Sequence, residues 1–236
     1  MAFLFTIKTV EMSYAENYQQ ILSGIPTHVT LIAVSKTHSI EVIEQVYNIG
    51  CRHFGENKVQ EMILKHQSLP KDILWHMIGH LQTNKIKSII PFVHLIHSID
   101  SLKLLSEINK EASKISKVQN CLLQIHIAQE ETKFGLTYDE ITELLKSEKF
   151  QELKNVKING LMGMASFTDD TTIVKKEFQQ LKQYFDNIKE FYFKNNATFN
   201  TLSMGMSGDF KIAIEEGSNM IRIGTTIFGN RNYSNI

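Results

Sequence analysis

The feature that most constrains the fold is an alternation of short apolar runs with stretches that have the spacing of amphipathic helices. Eight apolar runs of strand length recur, and a helix-like stretch separates each from the next, at residues 31–35, 52–57, 74–79, 94–100, 122–128, 158–164, 201–206 and 220–225. This pattern predicts an α/β protein, a single (β/α)8 TIM barrel, with a doubly wound open sheet as the alternative. No linker-like or low-complexity tract interrupts the chain, so residues 1–236 are predicted to form one domain.

An additional helix is predicted before the first strand, from about Val10 to Leu22, because Gly24 and Pro26 follow it directly. The residues before this helix lack the basic start and the small-residue cleavage site of a secretory signal. No apolar run approaches the length of about 20 residues that spans a bilayer. We therefore expect a protein that is not inserted in a membrane.

The charge balance indicates which classes of partner are unsuited to this chain, and the cysteine content indicates its cellular compartment. Lys+Arg and Asp+Glu both number 25, so there is no net basic field to attract nucleic acid or an anionic membrane. The two cysteines, Cys51 and Cys121, each lie in or beside an apolar segment. This is typical of reduced, buried thiols and predicts a cytoplasmic protein.

Lys36 stands directly after the first apolar run, at the position where a barrel strand would reach the catalytic face. A solvated lysine at a strand end is the simpler interpretation, since lysine is rarely buried. The functional alternative is an amine nucleophile, because a desolvated lysine can have a lowered pKa and attack a carbonyl.

The loops after the seventh and eighth runs have the composition of a phosphate site. Residues 203–209 and 222–229 combine glycines with hydroxyl side chains at strand ends, where backbone N–H groups can bind an anion. TIM barrels often bind phosphate in these two loops. Either loop could equally be a set of turns, so the prediction depends on the two occurring together.

Arg222 lies within an apolar strand, where a guanidinium needs a partner. One interpretation is a buried ion pair with an acid such as Glu56, and the other is a donor to the ring nitrogen of a cofactor. A reactive lysine, a phosphate site and an interior arginine together suit pyridoxal 5′-phosphate, which has an aldehyde, a phosphate and a pyridine nitrogen. No Cys/His group has zinc spacing, and His76 and His80 are not placed as a helical pair, so no metal site is predicted.

The sequence also resembles a known family, the YggS/PROSC pyridoxal phosphate homeostasis proteins. The segments that carry the resemblance are 33–37 (AVSKT), 54–61 (FGENKVQE), 75–85 (WHMIGHLQTNK), 133–135 (KFG), 160–162 (GLM), 202–209 (LSMGMSGD) and 221–229 (IRIGTTIFG). The resemblance implies a barrel similar to the N-terminal domain of alanine racemase. It further implies that Lys36 forms the Schiff base, that Arg222 faces the pyridine nitrogen, that Asn57 neighbours the cofactor, and that the phosphate is held by Ser203, Gly224 and Thr225.

The resemblance implies a protein that holds pyridoxal phosphate and manages its supply with little or no turnover, and no catalytic residue is assigned. The proposed recipients are pyridoxal phosphate-dependent apoenzymes, and a monomer is expected. A racemase-like reaction would need a second base from another domain, for which a chain ending at Ile236 leaves no room. Two alternatives stay open: a fold-type III enzyme such as an amino-acid racemase, and an aldolase-like barrel that uses Lys36 without a cofactor.

Overall fold

The computed structural model describes residues 12–130 and 134–229. Within these ranges the strands are β1 (Thr30–Val34), β2 (His53–Glu56), β3 (Leu74–Met77), β4 (Val93–Ile99), β5 (Gln119–Gln124), β6 (Val156–Met162), β7 (Thr201–Ser203) and β8 (Met220–Ile223). All neighbours pair in parallel, and β8 pairs with β1 to close the barrel. The TIM-barrel prediction is confirmed, and the open-sheet alternative is wrong.

The described helices are α1 (Tyr14–Ser23), α2 (Ile40–Asn48), α3 (Val59–Ser68), α4 (Ile86–Ile89), α5 (Leu102–Ser113), α6 (Tyr138–Lys146), α7 (Glu148–Gln151), α8 (Thr171–Tyr192), α9 (Phe210–Glu215) and α10 (Thr225–Phe228). A helix therefore precedes β1, although the predicted start at Val10 lies outside the described residues. Lys133 of the 133–135 segment and the residues after 229 also lie outside them.

Most of the apolar core lies between the barrel and its helices. Alternate strand residues point outward, and the outer layer includes the fully buried Phe54, Trp75 and Phe178. A second, smaller apolar cluster inside the barrel consists of Ile32, Leu95, Leu122, Met162 and Met220. These few side chains leave room inside the barrel for the polar groups described below.

Helix α1 lies beside the end of the barrel through its contact with α10. A capping box of Ser13 and Glu16 begins the helix, and the Asn17 side chain donates a hydrogen bond to the Ile227 carbonyl at 3.0 Å. Both Cys51 and Cys121 are buried free thiols, as predicted. In the described part of the chain, no helix has the length and apolar character needed to cross a membrane.

Candidate functional site

A cavity of about 690 Å³ opens at the C-terminal ends of the strands. Its wall includes Lys36, Asn57, Arg222, Gly224 and Thr225, which are five of the six residues predicted from the sequence. The volume is within the range of small-molecule sites. The structure therefore brings together, in one cavity, side chains that lie up to 189 positions apart between Lys36 and Thr225.

Lys36 is half-buried on a turn that its two neighbours hold in place. The buried Lys65 of α3 donates to the Ser35 carbonyl at 2.8 Å and to Glu61 Oε1 at 2.6 Å. Glu61 Oε1 also accepts the Thr37 backbone N–H. Thr37 has a φ of 69°, which is uncommon for a side chain branched at Cβ. The two residues that flank Lys36 are thus tied to one buried cation and its carboxylate.

Glu56 completes this group from the outer side of the barrel. Its Oε1 accepts the Ser35 hydroxyl at 2.6 Å and Lys65 Nζ at 2.8 Å. Burial raises the pKa of Glu56 to about 7, with Lys65 acting in the opposite direction. Because Glu56 shares the outward face of β2 with Phe54, the ion pair with Arg222 considered from the sequence does not form. Lys65, Glu56 and Glu61 are hereafter called the Lys65 cluster.

Arg222 is inside the barrel at the floor of the cavity, and its side chain is almost fully buried. Its Nη1 donates to Ser203 Oγ at 2.7 Å and its Nη2 donates to the Gly163 carbonyl at 3.0 Å. Burial lowers the pKa of the guanidinium to about 10, with Asp209 acting in the opposite direction, so Arg222 is charged at neutral pH. A guanidinium has five N–H donors, and these two contacts engage two of them, which leaves donors for a ligand in the cavity.

The loops after β7 and β8 form one continuous part of the cavity wall. Met206, Ser207 and Gly208 line it from the first loop, and Gly224 and Thr225 line it from the second. The Thr226 N–H donates to Ser207 Oγ at 3.4 Å, which joins the two loops. Thr225 begins α10, and the first N–H groups of a helix have no partner within it. This wall can bind an anion.

Two glycines allow the close approaches that shape the cavity. Gly205 has a φ of 98°, which is not an extended conformation, and β7 ends before it, at Ser203 rather than at the predicted 206. A Cβ at Gly205 would also lie 2.7 Å from Ala213 Cβ. A Cβ at Gly79 would lie 2.5 Å from the Asn57 carbonyl oxygen. Glycine at 79 therefore lets the Asn57 backbone pass close to the end of β3, which places Asn57 at the wall.

Ser203 has a different position from the other predicted residues. It is fully buried, and its Oγ contacts Arg222 and, at 3.1 Å, His97 Nδ1. The hydroxyl thus lies behind the guanidinium. These contacts engage the Ser203 side chain with Arg222 and His97, and the phosphate contact that the resemblance implied for Ser203 stays a prediction.

Histidines continue this line of contacts through the barrel interior. His97 Nε2 lies 2.9 Å from His76 Nδ1, and His76 Nε2 lies 2.9 Å from His53 Nδ1. His76 and His97 are fully buried and His53 is partly buried. Desolvation lowers the pKa of all three, so they are neutral at pH 7. We call His53, His76 and His97 the histidine chain.

The histidine chain predicts acid sensitivity. In the unfolded state His76 and His97 gain protons below about pH 6.5, while burial keeps them neutral in the fold. The two neutral histidines therefore do not reduce the free energy of unfolding above pH 6.5. Below pH 6.5, each of them lowers that free energy by about 1.4 kcal/mol per pH unit. Glu56 has a raised folded-state pKa and so acts in the opposite direction, which offsets about the loss caused by one of the two histidines. We expect urea denaturation at pH 7.5, 6 and 5 to give a falling free energy of unfolding, and a constant or rising value would contradict the neutral chain.

The described donors fit an organic ligand better than a metal. No group of three or more His, Cys, Asp or Glu side chains within residues 12–130 and 134–229 could hold a metal ion. The cavity instead offers an amine at Lys36, a buried cation at Arg222 and a wall of N–H and hydroxyl groups. These groups suit a ligand with a carbonyl, an acceptor nitrogen and an anionic group, and pyridoxal 5′-phosphate has all three.

Comparison with known proteins agrees with this geometry. The family described as alanine racemase, N-terminal domain, matches residues 12–232. The pyridoxal phosphate homeostasis protein of Aquifex aeolicus is 43% identical over 204 residues, which cover 86% of this chain and 87% of that protein.

Solved structures support the same relationship. PipY of Synechococcus elongatus PCC7942, solved with pyridoxal phosphate bound, has a TM-score of 0.83 and 33% identity, covering 92% of this chain and all of that one. Alanine racemase of Clostridium difficile 630 has a TM-score of 0.72 at 14% identity, covering 94% of this chain and 57% of that one. The second likeness concerns the fold alone.

Proposed function

Because this chain belongs to the alanine racemase N-terminal domain family, and within it to the pyridoxal phosphate homeostasis proteins, we propose that it binds pyridoxal 5′-phosphate and acts in its intracellular homeostasis with little or no turnover. The observation that carries the proposal is the convergence of Lys36, Arg222 and the loops after β7 and β8 on one cavity. The bound pyridoxal phosphate in the PipY structure supports the choice of ligand.

Lys36 is the residue proposed to hold the cofactor covalently. Addition of the Lys36 amine to the aldehyde carbon, with loss of one water, would leave a C=N bond in a Schiff base. The Lys65 cluster fixes the backbone on both sides of Lys36, which lowers the entropy lost when the amine is positioned. When bound, the cofactor supplies an electron-accepting ring.

The other residues are proposed to orient the ligand. Arg222 directs N–H donors toward the pyridine nitrogen, and Ser203 supports Arg222 from behind. The N–H groups at Gly224 and Thr225 are proposed to bind the phosphate, because successive backbone N–H groups in a turn at a strand end can form an anion-binding concavity. Asn57, held at the cavity wall beside Gly79, contacts the cofactor from the side of β2 and β3.

A carrier is proposed in preference to an enzyme for a physical reason. A charged arginine facing the pyridine nitrogen disfavours its protonation, and an unprotonated ring is a weaker electron sink. The Aquifex aeolicus relative is named as a pyridoxal phosphate homeostasis protein and not as an enzyme, which is compatible with a carrier. We also propose that the protein acts as a cytoplasmic monomer and that apoenzymes receive the cofactor. The free buried thiols support the compartment.

A turnover assay separates the carrier from the alternative, a fold-type III amino-acid racemase. The protein loaded with pyridoxal phosphate is incubated with L-alanine in D2O, and racemisation and loss of the α-proton are followed by NMR. We expect no more exchange than the cofactor gives in buffer. Sustained racemisation that is lost in Lys36→Ala would contradict the carrier proposal and favour the racemase.

A further inference from the structure

A line of hydrogen-bonding side chains crosses the interior of the barrel. Arg222 contacts Ser203, Ser203 contacts His97, His97 contacts His76, and His76 contacts His53, with successive distances of 2.7, 3.1, 2.9 and 2.9 Å. Each contact is within hydrogen-bonding range. The line therefore has no gap from the cavity floor to the first residue of β2, at the opposite end of the barrel.

The chemistry of arginine gives this line a direction. A guanidinium only donates, so Ser203 Oγ accepts from Arg222. In the described part of the chain, the other partner of Ser203 Oγ is His97 Nδ1, so the hydroxyl proton points to that nitrogen. His97 must then carry its proton on Nε2 and donate to His76 Nδ1. By the same step His76 donates from Nε2 to His53 Nδ1, which leaves the His53 proton on Nε2.

The groups around the line preserve this direction. The ring of His94, also on β4, lies edge-on to His76 at a centroid distance of 5.4 Å and to His53 at 6.2 Å. Desolvation lowers the pKa of His94, and Lys117 acts in the same direction; desolvation also lowers the pKa of His97, with Arg222 and then His94 adding to it. The charged groups that contribute, Arg222 and Lys117, are both cations, so burial and charge both favour the neutral state that the direction requires.

We propose that His97, His76 and His53 are positioning residues, and that their chain, with one proton orientation set by Arg222, holds the Ser203 hydroxyl away from the cavity and the guanidinium toward the ring nitrogen. The inference deepens the proposed function and depends on it for its purpose, although the chain itself can be tested without a cofactor. Every acceptor nitrogen in the chain faces the Arg222 end, and this arrangement of dipoles stabilises a cation there.

The test is nitrogen NMR of the full-length protein, labelled with 15N-histidine and free of cofactor, at pH 8. Substitution of individual histidines by Gln assigns the signals. We expect His53, His76 and His97 each to show the Nε2–H tautomer in roughly tenfold excess or more, since reversal leaves a buried donor or acceptor unpaired. An Nδ1–H tautomer at any of the three would overturn the proposal.

Variants at Arg222 test whether the chain acts as one unit. Arg222→Met removes the group that sets the direction, and we expect the tautomer ratio to fall by severalfold at all three histidines. Arg222→Lys keeps a donor-only cation and should retain the wild-type ratios. A change confined to His97, or no change, would overturn the proposal. If Arg222→Met does not fold, the wild-type tautomers and Arg222→Lys still decide the question.

A matched control is Ser98→Ala. Ser98 is a buried serine on the same strand as His97, and its hydroxyl donates to the Gly79 carbonyl at 2.6 Å, outside the chain. The Ser98→Ala variant should leave the tautomers of all three histidines unchanged. A change in tautomer ratio as large as that in Arg222→Met would contradict an effect specific to the histidine chain. Because no cofactor is present, a failure here is distinct from a failure of pyridoxal phosphate to bind.

Discussion

Replacement of Lys36 by alanine is expected to abolish covalent attachment of pyridoxal phosphate and to weaken its binding about a hundredfold or more, which corresponds to roughly 2.7 kcal/mol. The amine is lost, whereas Arg222 and the loops after β7 and β8 remain in place. The residual binding should be noncovalent and should be competed by inorganic phosphate. Equilibrium dialysis and the visible absorbance of the bound cofactor measure the two effects.

Lys58→Ala is the matched control for this change. Lys58 is exposed and directly precedes α3, where its side chain makes no capping hydrogen bond. It should bind pyridoxal phosphate as the wild type does. Equal loss in both variants would show that general charge, rather than the amine in the cavity, controls binding.

The second large effect is expected from Lys65→Met. Lys65 is the cation shared by Glu56 and Glu61, and it is 4% exposed. Its removal leaves the buried Glu56 carboxylate with the Ser35 hydroxyl but without a cation, which costs about 3–5 kcal/mol of unfolding free energy. The turn that holds Lys36 also loses a donor to the Ser35 carbonyl. Urea denaturation measures the stability, and stopped-flow absorbance measures how quickly the cofactor attaches.

The pH dependence identifies the cause of this destabilisation. Burial already raises the pKa of Glu56 to about 7, and loss of the cation should raise it further. A raised folded-state pKa contributes stability at low pH that is lost as the pH rises, so Lys65→Met should lose less at pH 5 than at pH 8.

Two further variants serve as controls for Lys65→Met. A Glu56→Gln change in the same background should recover part of the loss, and the exposed Lys58→Met should cost less than 0.5 kcal/mol, as is usual at the surface. An equal loss from Lys65→Met at both pH values, or a loss below about 1 kcal/mol, would contradict the assignment of Lys65 as a buried partner of Glu56.

The barrel could be predicted from the sequence because its strands are short apolar runs bounded by turn residues. The predicted strand bounds are wrong where tertiary contacts determine the residue at which a strand begins or ends. The seventh strand is shorter than predicted because Gly205 leaves the extended conformation. The fifth begins earlier, at Gln119, where polar residues interrupt the apolar pattern but still pair with β6. The one-domain prediction for residues 1–236 stays a prediction.

Five of the six predicted site residues line the cavity because their positions follow from strand ends in a barrel. The position of Ser203 behind Arg222 could not be predicted, since alternation gives the face of a strand but not the partner across the barrel. The Lys65 cluster was missed for a related reason. The i,i+4 pair of Glu61 and Lys65 looks like a surface ion pair, and only the packing of α3 on the barrel buries it.

The histidine chain also depends on distances across the barrel. His76 and His97 lie 21 positions apart in the chain, on the neighbouring strands β3 and β4. Their spacing in sequence gives no indication that a nitrogen of one lies 2.9 Å from a nitrogen of the other. A polar residue at the inward position of several strands is the signal that could have suggested an internal chain.

The most direct test of the central claim is to trap the cofactor on the protein. Pyridoxal phosphate is added to the wild-type protein, the C=N bond is reduced with borohydride, and the modified peptide is identified by mass spectrometry. We expect one stoichiometric modification, at Lys36, that is absent from Lys36→Ala and present in Lys58→Ala. Stoichiometric modification of another lysine, with Lys36 unmodified, would contradict this assignment.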